Sequence, residues 1–429
     1  MPGLQSFGRA KPLRLAVVGC GGMGRRHLHG LARLEKAGIN PFALTAVCDP
    51  RAEPAAAAAQ LADELLGRRP AEYSDLSQMA TEIAPDAIDV VTTPSTHHAV
   101  ASQALQLGIH VMVEKPVAIT INAANALEAV AAGSGCVLSV AENYRRDPLN
   151  RLLRAVIDSR VLGDPALMMD TSLSGGGNVL ITPWRSTRAE GGLLLDVGVH
   201  HADMFTYFLG PVTEVTAWSG VLEPKRRFAG LNSNLARHYE LSNRGVGGEF
   251  AADGVDAGFA LLRFASGAGG QWSTALGVGG GPPIRMRRVY LEGGMIECPE
   301  DRSGRPPTVT LRSERREMIG NEILELVPDF ALSGPAAHLF GGDRIGQLDM
   351  EFNEIDACIT ASEYWELGDC ILSGSRPEVG VGEGRAAVAV VLGVIESGLA
   401  KRSVKIADLL EGRESAYQDR HLAESTGSG

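Results

Sequence analysis

The first third of the chain alternates two hydrophobic patterns. Short continuous apolar runs, rich in Val, Ile and Ala, fall at residues 13–19, 43–48, 87–92, 110–113 and 136–141. Longer stretches with polar interruptions lie between them, at 22–37, 52–66, 97–107 and 122–132. A strand covered on both faces needs apolar side chains at nearly every position, whereas a packed helix needs only one apolar stripe. Strand and helix in regular alternation predict a parallel sheet with helices on both faces.

Near Asn143 the rhythm changes. A helix is predicted over 149–159, a strand over 166–173 and a helix over 192–209. Strands then follow one another at 212–218, 259–264, 270–276, 287–291 and 295–298. Successive strands without crossover helices predict a second, largely antiparallel sheet. Segments 223–250, 277–283 and 300–307 are polar or rich in Gly and Pro and read as loops. Two late helices are predicted over 348–372 and 383–400. The expected fold class is thus α/β: a doubly wound Rossmann sheet followed by an α+β domain with a large, mostly antiparallel sheet. The expected boundaries are a flexible arm at 1–12, a Rossmann domain at 13–143, a second, α+β domain at 144–424, and a disordered tail at 425–429.

Candidate chemistry starts where the first apolar run ends. Gly19, Gly21 and Gly24 complete the spacing G-x-G-x-x-G between a strand and a helix, the arrangement that cradles a dinucleotide. Gly19 permits the turn, Gly21 lets backbone approach a pyrophosphate, and Gly24 lets helix and strand pack closely. The second run ends in Asp49, about 25 positions after Gly24, near the ~20 of a ribose-binding carboxylate. Such a carboxylate favours NAD over NADP. Arg51, two residues on, pulls toward a 2′-phosphate, and Arg25 and Arg26 are ambiguous.

Composition narrows the partners. The chain has 429 residues, 45% of them hydrophobic and 21% charged, a soluble globular balance. Its net charge of −11 argues against nucleic acid. No run of 18 apolar residues predicts a membrane span, and residues 1–12 lack the apolar core of a secretory signal. The six cysteines form no C-x-x-C and read as reduced cysteines of a cytoplasmic protein.

Taken together in order, several motifs resemble the Gfo/Idh/MocA family of NAD(P)-dependent sugar and polyol oxidoreductases. They are Val17-Val18-Gly19-Cys20-Gly21-Gly22-Met23-Gly24, Thr93-Pro94-Ser95-Thr96-His97, Gly108 through Glu114-Lys115-Pro116, Asn143-Tyr144-Arg145-Arg146, Pro183-Trp184-Arg185, and Gly191 through Asp196-Val197-Gly198-Val199-His200. The resemblance covers residue 13 to about 211 and resumes at 374–377 and 383–385.

It implies a hydride transfer between a secondary hydroxyl and NAD, with Lys115 and His200 as catalytic groups and Asp196 as the partner of His200. It implies cofactor contacts from Gly19, Gly21, Gly22, Met23, Gly24, Asp49, Arg51, Thr93, Pro94, His97, Glu114 and Lys115. Substrate contacts are expected from Lys115, Tyr144, Arg146, Trp184, Arg185, Asp196 and His200.

The residues themselves suit these roles. Lys115 follows a strand's carboxyl end, where ligands of open α/β sheets bind, and an ammonium there stabilises a developing alkoxide. Pro116 would fix the turn, with a cis bond as one option. Asp196 and His200 are four apart on a predicted helix and share a face; a histidine is a natural general base for a hydroxyl proton. The carboxylate either orients the histidine or holds a second hydroxyl. His97 is a loop histidine near the nicotinamide, or simply part of a turn capped by Ser95 or Thr96. Asp196, His200 and Asp203 match no zinc spacing, and no metal is expected.

Two other readings use the same residues: an NAD-dependent enzyme that cleaves glycosides through transient oxidation, and a non-catalytic regulator that senses sugar or NAD. Retention of Lys115, Asp196 and His200 argues against the regulator; nothing in the residues separates the two enzymes. An open antiparallel sheet needs a cover, so a homo-oligomer, dimer or tetramer, is expected.

Overall fold

The computed structural model describes residues 11–228, 236–279 and 281–419. The expected arm, apart from Lys11 and Pro12, and the expected tail lie outside the described residues. In the first part, β1 (Leu13–Val18), β2 (Phe42–Cys48), β3 (Ala71–Tyr73), β4 (Ala87–Val90), β5 (His110–Glu114) and β6 (Leu138–Ala141) form one sheet in the order β3-β2-β1-β4-β5-β6. Every pairing is parallel. The crossovers are α1 (Gly22–Ala37), α2 (Ala52–Leu66), α3 (Leu76–Ile83), α4 (Pro94–Gln106) and α5 (Ile121–Ser134). The strand order reverses between β1 and β4, which opens a crevice beyond their carboxyl ends.

Alternate residues of β1 serve two cores. Leu15 and Val17 pack with Leu28 and Leu31 of α1, and with Ile355, Ile359 and Tyr364 of a late helix. Ala16 and Val18 join Met79 of α3, Ala101 and Leu105 of α4, and a core that continues into the second sheet. The sheet is therefore covered on both faces, one cover arriving from far along the chain.

The pattern misses β3 and α3. The three-residue edge strand Ala-Glu-Tyr buries no side chain fully, and α3 buries only Leu76 and Met79, so neither leaves a hydrophobic signature.

The second part contains α6 (Pro148–Asp158), β7 (Pro165–Leu173), α7 (Gly192–Leu209), β8 (Val212–Gly220), β9 (Lys225–Arg227), α8 (Ala236–Tyr239), β10 (Glu249–Ala251), β11 (Ala257–Phe264), β12 (Gly269–Ala275), β13 (Ile284–Leu291), β14 (Gly294–Cys298), β15 (Thr308–Leu311), β16 (Arg316–Ile319), α9 (Gly334–Phe340), α10 (Phe352–Ser373), α11 (Val381–Ala400), β17 (Val404–Lys405) and α12 (Ile406–Leu410). Nine strands pair in the order β16-β15-β14-β13-β7-β12-β11-β8-β17. Only β7 with β12 is parallel. Helices α7 and α11 cover one face. Gly198 of α7 lets the helix approach Trp272 of β12: a Cβ there would come within 2.9 Å of the indole.

The expected loop at 223–250 instead contains β9, α8 and the start of β10. β9 is Lys-Arg-Arg, and so short and charged a strand leaves no alternation to read. Strands β15 to β17 escape for the same reason of length: four, four and two residues. Among the described residues no helix is long and apolar enough to cross a membrane.

Candidate active site

A cavity of about 550 Å³ lies beyond the carboxyl ends of β1, β2, β4 and β5. One end is built by the glycine turn. Gly19 has φ +103°, and a Cβ on it would fall 2.6 Å from the Val91 carbonyl carbon. A Cβ on Gly24 would fall 2.1 Å from the Gly19 carbonyl oxygen, so this glycine sets how closely α1 meets β1. Around Gly21 there is no atom within 4 Å of that position. The turn is thus tight on its protein side and open on its cavity side. The N-terminus of α1 has no side-chain cap and no acidic residue in its first turn, so its orphan N–H groups and positive dipole end are available to an anion. This cradle fits a pyrophosphate.

Of the residues expected to contact a cofactor, Gly22, Met23, Asp49, Arg51, Thr93, Pro94, His97, Glu114 and Lys115 line the cavity with Gly19 and Gly21; Gly24 does not. The Asp49 carboxylate is fixed at the end of β2, accepting from the Cys20 N–H at 2.9 Å and the Arg51 N–H at 3.0 Å. His97 is clamped at both nitrogens, Nδ1 2.8 Å from the Pro116 carbonyl and Nε2 3.1 Å from that of Thr92. It holds two turns together rather than presenting a free ring nitrogen. Neither Ser95 nor Thr96 caps α4, whose N-cap residue is Thr93. Arg26 turns away to Asp356 of α10, and Arg25 donates to the His238 carbonyl.

At the other end, Lys115 leaves β5 ahead of a cis peptide bond to Pro116. Its ammonium donates to the Asp196 carbonyl at 3.0 Å and to Asp196 Oδ1 at 3.3 Å. Arg185 pairs with Asp196 Oδ2, and its guanidinium lies 4.7 Å from the centre of the Trp184 ring. Burial works to raise the Asp196 carboxyl, but Arg185 and Lys115 outweigh it and hold it far below the usual carboxylate range. In the same way His27, Lys115 and Arg26 overcome burial at Glu114 and bring it to about 2.

His200 departs from expectation. Its carboxylate partner is Glu142, with Nδ1 2.7 Å from Oε1 and 3.0 Å from Oε2, and not Asp196. The reason is geometric: Asp196 turns its carboxylate to two cations, while Glu142, just past β6, reaches across to α7. The Tyr144 ring stacks on the imidazole at 4.2 Å with an interplanar angle of 5°. Nε2 makes no hydrogen bond among the described residues. Burial, then Lys115 and Arg302, push His200 well below its ordinary value. Burial raises Glu142 to about 7 against the Tyr144 N–H, Lys115 and Arg145.

Three expected substrate contacts, Arg146, Tyr144 and His200, are not among the residues that line the cavity. Arg146 is buried between Glu366 and Glu378, and its guanidinium is spent on these two carboxylates. Tyr144 stacks on the His200 ring. His201 bonds Asp170 at 2.9 Å, and Asp203 binds Arg145 through two contacts of 2.6 Å. Among the described residues no group of three or more His, Cys, Asp or Glu side chains is arranged to hold a metal. Sequence reasoning missed Glu142, although it sits at a strand's carboxyl end like Lys115. It also missed Tyr239, which lines the cavity from α8.

Two family models match the chain. The oxidoreductase family model with the NAD-binding Rossmann fold covers residues 13–142, and the GFO/IDH/MocA C-terminal domain covers 150–297. The chain belongs to the Gfo/Idh/MocA family. Similar family members include a D-apiose dehydrogenase of Paraburkholderia graminis, 28% identical over 48% of this chain and 52% of that protein. A D-glucoside 3-dehydrogenase of Escherichia coli is 30% identical over 48% and 57%. A levoglucosan dehydrogenase of Pseudarthrobacter phenanthrenivorans is 29% identical over 60% and 66%. The matched part spans between about half and two thirds of these relatives. A solved levoglucosan dehydrogenase, in complex with NADH and levoglucosan, superposes with a TM-score of 0.73 at 20% identity, over 92% of this chain and 100% of that one; at that identity the likeness shows the family fold.

Proposed function

We propose that this chain is an NAD-dependent dehydrogenase that moves a hydride between a secondary hydroxyl of a sugar, polyol or glycoside and NAD, with Lys115 and His200 as catalytic groups. The carrying observation is convergence: Lys115 from the parallel sheet and Arg185 and Asp196 from the second part meet at one end of a cavity whose other end is a glycine cradle. Relatives named for apiose, glucosides and levoglucosan support the substrate class.

When bound, the nicotinamide supplies the hydride acceptor or donor. Gly19, Gly21 and Gly22 would hold its pyrophosphate and Asp49 its ribose. An ammonium has three donors, and two of those on Lys115 are spent on Asp196. The third is left for the substrate oxygen, where it stabilises negative charge as the hydride leaves. Glu142, as carboxylate, accepts a hydrogen bond from the Nδ1–H of His200 and so leaves the unprotonated Nε2 as the acceptor for the hydroxyl proton. Tyr144 fixes the ring plane. Asp196 and Arg185 hold Lys115 in place and offer further contacts for hydroxyls.

The domain division at 143/144 belongs to the same proposal, as does assembly into a cytoplasmic homo-oligomer, dimer or tetramer. All six cysteines are free, in keeping with a reducing compartment. The outer face of the second sheet exposes Trp218, Phe259 and Leu261, an apolar surface suited to a second copy. The test is NAD reduction against a panel of sugars, polyols and glycosides with product analysis. Net NADH formation is expected. Glycoside cleavage without net NADH would replace the reading by transient oxidation, and no turnover of any panel member would favour a sensor.

A further inference from the structure

We propose that Tyr239 is a positioning residue of this site and that the segment carrying it, residues 236–244, is a strap that retains the dinucleotide. The proposal rests on the dinucleotide reading above. The strap emerges between β9 and β10 of the second part, yet it lies on the glycine turn of the first. The Tyr239 ring packs against Gly22 so closely that a Cβ there would fall 2.3 Å from Cδ1; glycine at 22 is what admits the ring. Its hydroxyl stands 3.7 Å from Met23 Sδ and 3.5 Å from an Arg185 nitrogen, the same guanidinium that holds Asp196. Tyr239 therefore touches both the phosphate cradle and the substrate end, and Ser242 lines the cavity beside it.

Polar contacts to other segments pin the strap. Arg25 of α1 donates to the His238 carbonyl. Asn243 donates to the Ile181 carbonyl at 2.8 Å. Arg244 pairs with Glu53 of α2 at 2.6 Å, with both side chains exposed, so this last link is the weakest. A dinucleotide seated in the cradle shares its cavity with Tyr239 and Ser242, and its departure is coupled to the opening of these contacts.

The experiment is stopped-flow release of NADH, followed by its fluorescence, from the full chain. Tyr239→Ala should release NADH roughly tenfold faster, since such contacts act mainly on dissociation. Tyr239→Phe, which keeps the ring on Gly22, should restore slow release. In the native protein NADH should slow tryptic cleavage after Arg244, a readout that needs no variant to fold. Release from Tyr239→Ala within about twofold of native, a Phe variant as fast as the Ala variant, or cleavage indifferent to bound NADH would each overturn the strap while leaving the dinucleotide reading intact. A native protein that binds no NADH would overturn both.

Discussion

The two sheets handle burial in opposite ways. In the parallel sheet, β4 and β6 are buried at every position, because helices cover both faces. In the mixed sheet, β11 is buried at every second position from Ala260 to Phe264, with Phe259, Leu261 and Arg263 exposed between. The first sheet has only its strand ends left to offer, and the cradle, Asp49 and Lys115 sit there. The second offers a whole face. Trp218 and Phe259, cross-strand neighbours in register, bring their rings within 5.7 Å of each other on it. The candidate site gathers at the strand ends of the sheet that is covered, and the half-bare sheet leaves apolar side chains facing outward.

Truncating the same kind of side chain on both sheets tests this directly. Ile88→Ala, at a fully buried position of β4, should lower unfolding free energy by about 2–5 kcal/mol in urea titrations. Leu261→Ala, at 64% exposure, should change the monomer by no more than about 0.5 kcal/mol. Equal losses would mean that the second sheet is covered within one subunit.

At the candidate site, Lys115→Ala beyond β5 and His200→Ala on α7 should each cut turnover by about a hundredfold or more, about 2.7 kcal/mol of barrier, with NADH still bound. Near-native turnover in both would make these residues structural. On the bare face, Trp218→Glu combined with Leu261→Glu should weaken self-association by roughly tenfold or more. Sedimentation of the native protein as a 45.2 kDa monomer at micromolar concentration would remove the oligomer altogether.

A smaller effect concerns pH. Burial puts Glu142 at about 7, so the carboxylate that accepts the hydrogen bond from Nδ1–H of His200 forms as pH rises through that value. Alcohol oxidation should rise with it. Glu142→Gln should flatten that rise and lose about tenfold in rate above it. An unaltered profile would assign the ionisation elsewhere. The smallest effect is expected at the adenosine end: Asp49→Ala should narrow the preference for NAD over NADP by about fivefold, the scale of one hydrogen bond. A native preference for NADP in calorimetry would instead promote Arg51 to a phosphate ligand.

Much of this was legible in the chain. Helices over Gly22–Ala37, Ala52–Leu66 and Gly192–Leu209 match the predicted spans residue for residue; all three begin or end at clear breaks in pattern. Short charged strands such as β9 were not legible, because three residues carry no period. In the site, Lys115 and Asp196 converge as expected, since both lie in motifs. The orienting carboxylate did not follow from spacing. Asp196 is one helical turn from His200, but two cations compete for it, and only the packed structure shows that Glu142 takes its place.

The two-part architecture and the glycine cradle could be read from the chain alone, because strand and helix periods and a glycine turn are local properties encoded where they occur. Tertiary structure decided everything that depends on distant segments meeting. It brought α10 onto the first sheet, Glu142 to His200, Arg146 to Glu366 and Glu378, and Tyr239 onto Gly22. Each of these pairings spans dozens to hundreds of residues, and their partners are chosen by competition for charge and volume in the assembled core. That competition has no trace in spacing along the chain.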